Sequence, residues 1–228
     1  MKPEGNIPAP AVRRLSLYLR QLELLWADDR QKVSSKELGK ALRLTDSQIR
    51  KDLAYFGQFG QAGVGYDITE LTTNIRRILG TDRTWNVLLV GAGNLGSALS
   101  AYRGFAKRGF RLVAVFDSDR KKVGRPLTSN PELTVQHIDQ LEEEVRRREI
   151  HLAINAVPAE AAQQIANRLV KAGVRGLFNF APVNLDIDSQ VAISSVDLAV
   201  QLEQLSFQVS MNQSIAEAEK SRKRKKKK

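Results

Sequence analysis

Val87-Leu88-Leu89-Val90-Gly91-Ala92-Gly93-Asn94-Leu95-Gly96 is a strand, a turn and a helix start written in ten residues. Four apolar residues in a row suit a strand buried on both faces of a parallel sheet. The spacing G-x-G-x-x-G then meets three needs of a dinucleotide site. Gly91 allows the tight turn, Gly93 lets the backbone approach a pyrophosphate, and Gly96 lets the helix pack on the strand. The backbone N–H groups of Ala92, Asn94 and Leu95 sit at the helix start, where the dipole favours phosphate. Asp117 lies 21 residues beyond Gly96, after a second apolar run at 112–116. A carboxylate there accepts hydrogen bonds from the adenosine ribose hydroxyls. It also favours NAD(H) over NADP(H), because a 2′-phosphate would meet a negative charge. The adjacent Arg120, Lys121 and Lys122 read as a solvated loop.

Downstream the same alternation continues. The first helix of this region is expected to run to about residue 108, ended by Gly109. Further helices are expected at 139–149 and from Pro158 to about 172, with strands at 152–157, 174–178 and 191–193. Strands alternating with helices make an α/β, doubly wound parallel sheet, a Rossmann-like region over 84–195. Residues 196–218 read as a closing helix, with Leu198, Leu202, Leu205 and Val209 along one seam.

Upstream, residues 1–80 read as a winged helix-turn-helix. Leu15, Leu19, Leu22 and Trp26 recur at helical spacing in a first helix over 11–26. Ser34-x-x-Glu37 and Thr45-x-x-Gln48 are capping boxes that open a second and a third helix. The second carries Leu38, Ala41 and Leu42 inward, the third Ile49, Leu53 and Phe56. Four glycines within 57–65 exclude a helix and suit a tight hairpin or loop, the wing. A further helix spans about 69–79. With the third helix placed in a major groove, Ser47, Arg50, Lys51 and Ala54 face outward. Arg50 and Lys51 suit phosphates or the paired acceptors of guanine, partly neutralised by Asp52, and Tyr55 lies toward the backbone.

The composition bounds the function. The net charge of +11 is mostly terminal, since residues 220–228 carry eight basic side chains and no acidic one. Residues 1–80 hold 13 basic and 9 acidic side chains, whereas 81–219 hold 15 and 16. The excess outside the tail therefore sits where a nucleic-acid surface is expected. The tail, residues 219–228, is expected to be disordered as a run of like charge. The absence of cysteine excludes a disulfide framework, a thiolate zinc site and a cysteine nucleophile. No apolar run reaches membrane-spanning length, and residues 1–5 lack an apolar signal core, so a cytoplasmic location is expected. The two histidines, His137 and His151, are not expected at the C-terminal ends of strands, where such sheets place ligands. Catalysis is therefore not expected, and the nucleotide reads as a signal. Two alternatives stand at this point: an NAD(P)-dependent oxidoreductase with an appended helical domain, and a coenzyme-A-binding regulator.

Several stretches together resemble the Rex family of redox-sensing transcriptional repressors. They are residues 48–57 (QIRKDLAYFG), 63–66 (GVGY), the GAGNLG turn, Phe116-Asp117 and Asn179-Phe180-Ala181-Pro182. The resemblance runs from about residue 8 to 210. It implies a homodimer that binds double-stranded operator DNA with an inverted repeat and is released by NADH, with NAD⁺ competing. It implies DNA contacts from Ser47, Gln48, Arg50, Lys51 and Tyr55, with wing contacts from Gln61 and Gly63, and no metal or membrane. It implies a nicotinamide pocket beside Val157, Pro158 and Phe180. It further implies a C-terminal helix exchanged between subunits, and switch contacts at Arg20, Tyr102 and Asp197. Family wings carry basic residues before GVGY, and Gln61-Ala62 departs from that pattern.

Overall fold

The computed structural model describes residues 7–61, 63–127 and 130–225. Ala62 of the wing, residues 1–5 read for a signal, and residues 226–228 of the basic tail lie outside the described residues. The chain divides into two compact units, residues 1–84 and 85–228, each with a core of its own.

The first unit opens with α1 (Ala9–Ala27), which Pro8 and Pro10 start. Proline suits a first helical turn, where the backbone N–H has no partner to lose. Ala11, Leu15, Tyr18, Leu19 and Leu22 are buried along it. Trp26 departs from the expected inward stripe, being 64% exposed. At 3.6 residues per turn the stripe passes through Leu25, which packs on the core instead. After the two-residue strand β1 (Lys32–Val33), Ser34 caps α2 (Ser35–Leu42) with the full reciprocal box to Glu37. Ala41, expected inward, is exposed, and Gly39 is buried in its place. A Cβ on Gly39 would lie 2.7 Å from the Leu44 carbonyl, so the turn backbone packs directly on the helix. Arg43 makes that turn in the left-handed region (φ 56°). Thr45 then caps α3 (Asp46–Ala54) by accepting from the Gln48 backbone. The wing closes through β2 (Tyr66–Asp67), antiparallel to β1, and leads into α4 (Ile68–Ile78), capped by Asp67.

The second unit is a seven-stranded sheet. Its strands are β3 (Trp85–Val90), β4 (Phe110–Asp117), β5 (Pro126–Leu127), β6 (Asn130–His137), β7 (Leu152–Asn155), β8 (Gly176–Asn179) and β9 (Ala192–Ser195). The order is β5-β6-β4-β3-β7-β8-β9, parallel throughout except for β5 at the edge. The parallel strands thus follow the 3-2-1-4-5-6 order of a doubly wound sheet, which reverses between β3 and β7. β5 and β6 were not expected. Asn130-Pro131 reads as loop, and the alternation that follows, Leu133 and Val135 inward, spans few residues.

Helices cover the sheet as α5 (Asn94–Ala101), α6 (Gly104–Lys107), α7 (Leu141–Arg147) and α8 (Ala159–Ala172). The helix expected to reach residue 108 is broken at Tyr102, whose extended ψ of 99° ends α5. The last helix, α9 (Leu198–Lys225), continues well past the expected end at 218. Its extension crosses the basic tail as far as residue 225, where disorder was expected. Ala216, Glu217, Ala218 and Glu219 are good helix formers, and cations near a C-terminus suit the helix dipole. Leu198, Leu202, Leu205 and Val209 are all exposed along it.

Candidate functional site

The crevice outside the carboxyl ends of β3 and β7 is where a doubly wound sheet receives ligands. Gly91 makes the turn after β3 with φ 100°, and a Cβ there would lie 2.5 Å from the Ala156 carbonyl after β7. Gly96 packs so closely that a Cβ would collide with the Gly91 carbonyl. Gly93 differs. Its backbone is extended (φ −80°, ψ −167°), it is exposed, and a Cβ there would meet nothing within 4 Å. It is the N-cap of α5 and lends no side chain to the free N–H groups behind it. The turn is therefore open at the one position where a phosphate would approach. Ala92 and Leu95 are half-buried and Asn94 is exposed around it.

Asp117 ends β4 beside this turn and is buried. Its Oδ2 accepts from the Ala92 N–H at 2.8 Å and from Lys122 Nζ at 2.9 Å, and its Oδ1 from the Asp119 N–H at 2.8 Å. Burial alone would push this carboxyl up, but the three donors outweigh it and hold Asp117 below the usual carboxylate range. Lys122 was read with Arg120 and Lys121 as solvated loop. Only the latter two are exposed, whereas the tight turn after Asp119 aims Lys122 back at Asp117. His137 also requires correction, because it is the last residue of β6 and pairs in register with Asp117. It thus stands at the carboxyl edge after all, through a strand that was not expected. Its ring accepts from the Asp139 N–H and caps a 3₁₀ turn. His151 precedes β7, at the opposite end of the sheet.

Beyond the reversal point, Val157 is half-buried and Pro158 exposed. Phe180 stacks edge-on against Phe178, centroids 4.5 Å apart. The buried Asn179 fixes this turn. Its Oδ1 accepts from the Ala181 N–H and from Asn155 Nδ2, and its own Nδ2 donates to the carbonyls of Ala181 and Val183.

In the first unit, α3 presents Ser47, Arg50, Lys51 and Ala54 to solvent, with Tyr55 37% exposed at its end. Arg50 is held in place by Asp46 Oδ2 (2.7 Å) and Ser35 Oγ (3.1 Å). Gln48 turns inward instead, and its Nε2 donates to Asp52 at 2.7 Å. Asp52 does not neutralise the outer face as expected. It is fully buried and takes Arg14 Nε and Nη2 and the Tyr18 hydroxyl as further donors. Burial would raise this carboxyl, yet those donors hold it below its ordinary range, and Arg14 rises well above the usual guanidinium value. The signal was present in the sequence, since Asp52 falls three residues after Ile49 and four before Phe56, on the inner face. Beside α3, among the described residues, the wing carries an antiparallel bridge, Gln61 to Gly65, around Gly63. Gly65 (φ 86°) carries no Cβ because one would lie 2.7 Å from the Val33 carbonyl. A groove of about 590 Å³ runs between α3 and the wing, lined among others by Arg50, Leu53, Gly57 and Gln61.

The three carried-over switch positions lie on different elements. Arg20 is exposed on α1, Tyr102 is 61% exposed at the break after α5, and Asp197 caps α9 by accepting from the Ala199 and Val200 N–H groups. Among the described residues no cluster of three or more potential metal ligands occurs, and no helix is long and apolar enough to cross a membrane.

Comparison with known proteins bears on both units. Residues 6–54 match a family described as "Putative DNA-binding protein N-terminus", and residues 82–183 match one described as "CoA binding domain". The chain is 50% identical over 204 residues to the redox-sensing transcriptional repressor Rex of Carboxydothermus hydrogenoformans, covering 90% of this chain and 97% of that one. It is 44% identical over 206 residues to the Rex repressor of Syntrophobacter fumaroxidans, covering 90% and 97%. Among solved structures it resembles RSP in complex with β-NAD⁺ and operator DNA, with a TM-score of 0.86, 35% identity, and coverage of 95% of this chain and 98% of that one. RSP in complex with β-NADH gives 0.82 and 34%, with coverage of 94% and 99%. The relatives that cover nine-tenths of this chain define its class as a transcription regulator rather than an enzyme. The chain belongs to the Rex family of redox-sensing transcriptional repressors.

Proposed function

We propose that this chain is a homodimeric repressor that holds inverted-repeat operator DNA and lets go when NADH fills the crevice at β3 and β7. The observation that carries this reading is the open Gly93 beside the buried Asp117, in the same chain as an exposed, pre-aimed Arg50. Residues 1–80 bind DNA. Ser47, Arg50, Lys51 and Tyr55 face the groove and backbone, Gln48 supports them from within, and Gln61 and Gly63 form a wing of low charge. Residues 84–195 bind the nucleotide, with Gly91 to Gly96 under the pyrophosphate and Asp117 on the adenosine ribose.

When bound, NADH brings a neutral dihydronicotinamide where NAD⁺ brings a cation. An apolar wall of Val157, Pro158 and Phe180 favours the neutral ring, because burying an unpaired charge costs free energy. Residues 196–218 pair the subunits, in the family manner by exchange of α9, whose exposed leucine seam supports the reading. Arg20, Tyr102 and Asp197 form the switch between liganded and DNA-bound arrangements. Residues 219–228 add phosphate contacts. Such a regulator works in the cytoplasm.

By linkage, operator DNA weakens NADH binding by the factor with which NADH weakens DNA binding. The test is operator retention at fixed salt, challenged separately with NADH, NAD⁺ and coenzyme A. Release by NADH at concentrations where NAD⁺ does little is expected. Equal NADH affinity for free and operator-bound protein overturns the reading. Release by coenzyme A alone would favour the second reading, a coenzyme-A regulator, which the family match over residues 82–183 supports.

A further inference from the structure

A carboxylate that grips a ribose diol needs a free acceptor position on each oxygen. Asp117 offers few. Its Oδ2 already takes the Ala92 N–H and the Lys122 ammonium, and its Oδ1 takes the Asp119 N–H. The two backbone donors are fixed by the glycine turn and by the turn after β4. Among the described residues Lys122 is the removable donor, on a flexible stem and with its side chain 40% exposed. The loop that carries it is not free to drift. Lys122 N–H bonds the Asp119 carbonyl, while Gly124 N–H and Val135 N–H tie residues 124–125 to β6 in both directions. The backbone is anchored within reach of Asp117, and the ammonium bonds Oδ2 at 2.9 Å.

We propose that Lys122 is a positioning residue that competes with the adenosine ribose for Asp117, and so sets the absolute affinity for nucleotide without altering the preference for its reduced form. The inference rests on the reading that Asp117 receives the ribose. Redox state is written only in the nicotinamide ring, and Val157, Pro158 and Phe180 follow β7 and β8, across the strand reversal from β4, which Asp117 ends. A competitor at the ribose therefore weakens every adenosine ligand by one common factor. A sensor so built has two separate settings, the ratio it reads and the concentration at which it reads it.

The experiment measures dissociation constants of NADH, NAD⁺ and ADP-ribose, which lacks the nicotinamide, for the full chain and for Lys122→Met and Lys122→Arg. Lys122→Met is expected to tighten all three by the same factor, roughly two- to fivefold, the reach of a partly exposed ion pair of about 0.4–1 kcal/mol. Lys122→Arg, which keeps the cation, is expected to stay near the parent. The NADH-to-NAD⁺ ratio stays constant across all three proteins. Unchanged or weaker binding by Lys122→Met overturns the proposal, as does a change confined to the nicotinamide-bearing ligands. A parent chain that binds none of the three overturns the nucleotide reading, and the proposal falls with it.

Discussion

At the scale of single residues, the three glycines of the turn make different demands, and their substitutions separate folding from binding. Gly93→Ala adds a methyl group to a backbone that any residue adopts, in space that nothing within 4 Å claims. Unfolding free energy is expected to change by no more than a surface substitution does, about 0.5 kcal/mol. NADH affinity, read by calorimetry, is expected to fall at least roughly tenfold, because the methyl group occupies the approach of the pyrophosphate. Normal NADH binding by Gly93→Ala would place the phosphates elsewhere. The sequence showed the glycines and Asp117 because their spacing answers to one chemical demand. It hid the partners of Asp117, because Lys122 reads as one cation in a run of three until the turn after Asp119 is seen. It hid the place of His137 for a different reason, that a proline near the start of β6 carries the signature of a loop.

Elements pack by faces, and a buried charge on a face reports what the face must hold. Asp52 joins α3 to α1 through Arg14 and Tyr18, so its charge is a bolt between the third helix and the first. Asp52→Asn leaves Arg14 without its counter-ion and is expected to cost about 3 kcal/mol, read from hydrogen exchange of α1 and α3 amides. The pH dependence has a definite sign. The folded carboxyl lies below its unfolded value, so its stabilisation is complete above the ordinary carboxylate range and drains as pH falls through the folded value. The difference between parent and Asp52→Asn should therefore narrow on acidification, and a gap constant with pH would refute the assignment.

The wing makes a second prediction at this scale. Gly65→Ala forces a Cβ against the Val33 carbonyl at positive φ, a strain of about 1–3 kcal/mol that the wing relieves by shifting. Operator affinity should drop roughly tenfold in a gel-shift titration while NADH affinity holds. Helices of the first unit were legible from caps and apolar periodicity, with errors where the stripe drifts, at Trp26 and Ala41, and on α3, where Gln48 and Asp52 turn inward. The break at Tyr102 was not, since nothing in the local sequence forbids a helix before Gly104.

The whole molecule joins a near-neutral sheet unit to a basic helical one and ends in a concentrated charge. A chain ending at Glu219 loses eight of the 36 basic side chains. Its operator affinity is expected to fall, and the slope of log affinity against log salt to flatten by roughly 0.9 for each phosphate released. An unchanged slope would mean that the tail touches no DNA. The order of the parallel sheet was legible as a class from strand–helix alternation, but its antiparallel edge was not, because β5 is two residues long.

The leucine seam of α9 has a consequence for the life of the protein in the cell. A newly made copy without a mate carries that oily ridge bare, the kind of surface that quality-control proteases treat as damage. Where two copies pair through α9, as proposed above, the ridge is covered and the copies persist. Repressor abundance is then tied to successful pairing, and a pulse-chase should show a shorter half-life at low expression than at high.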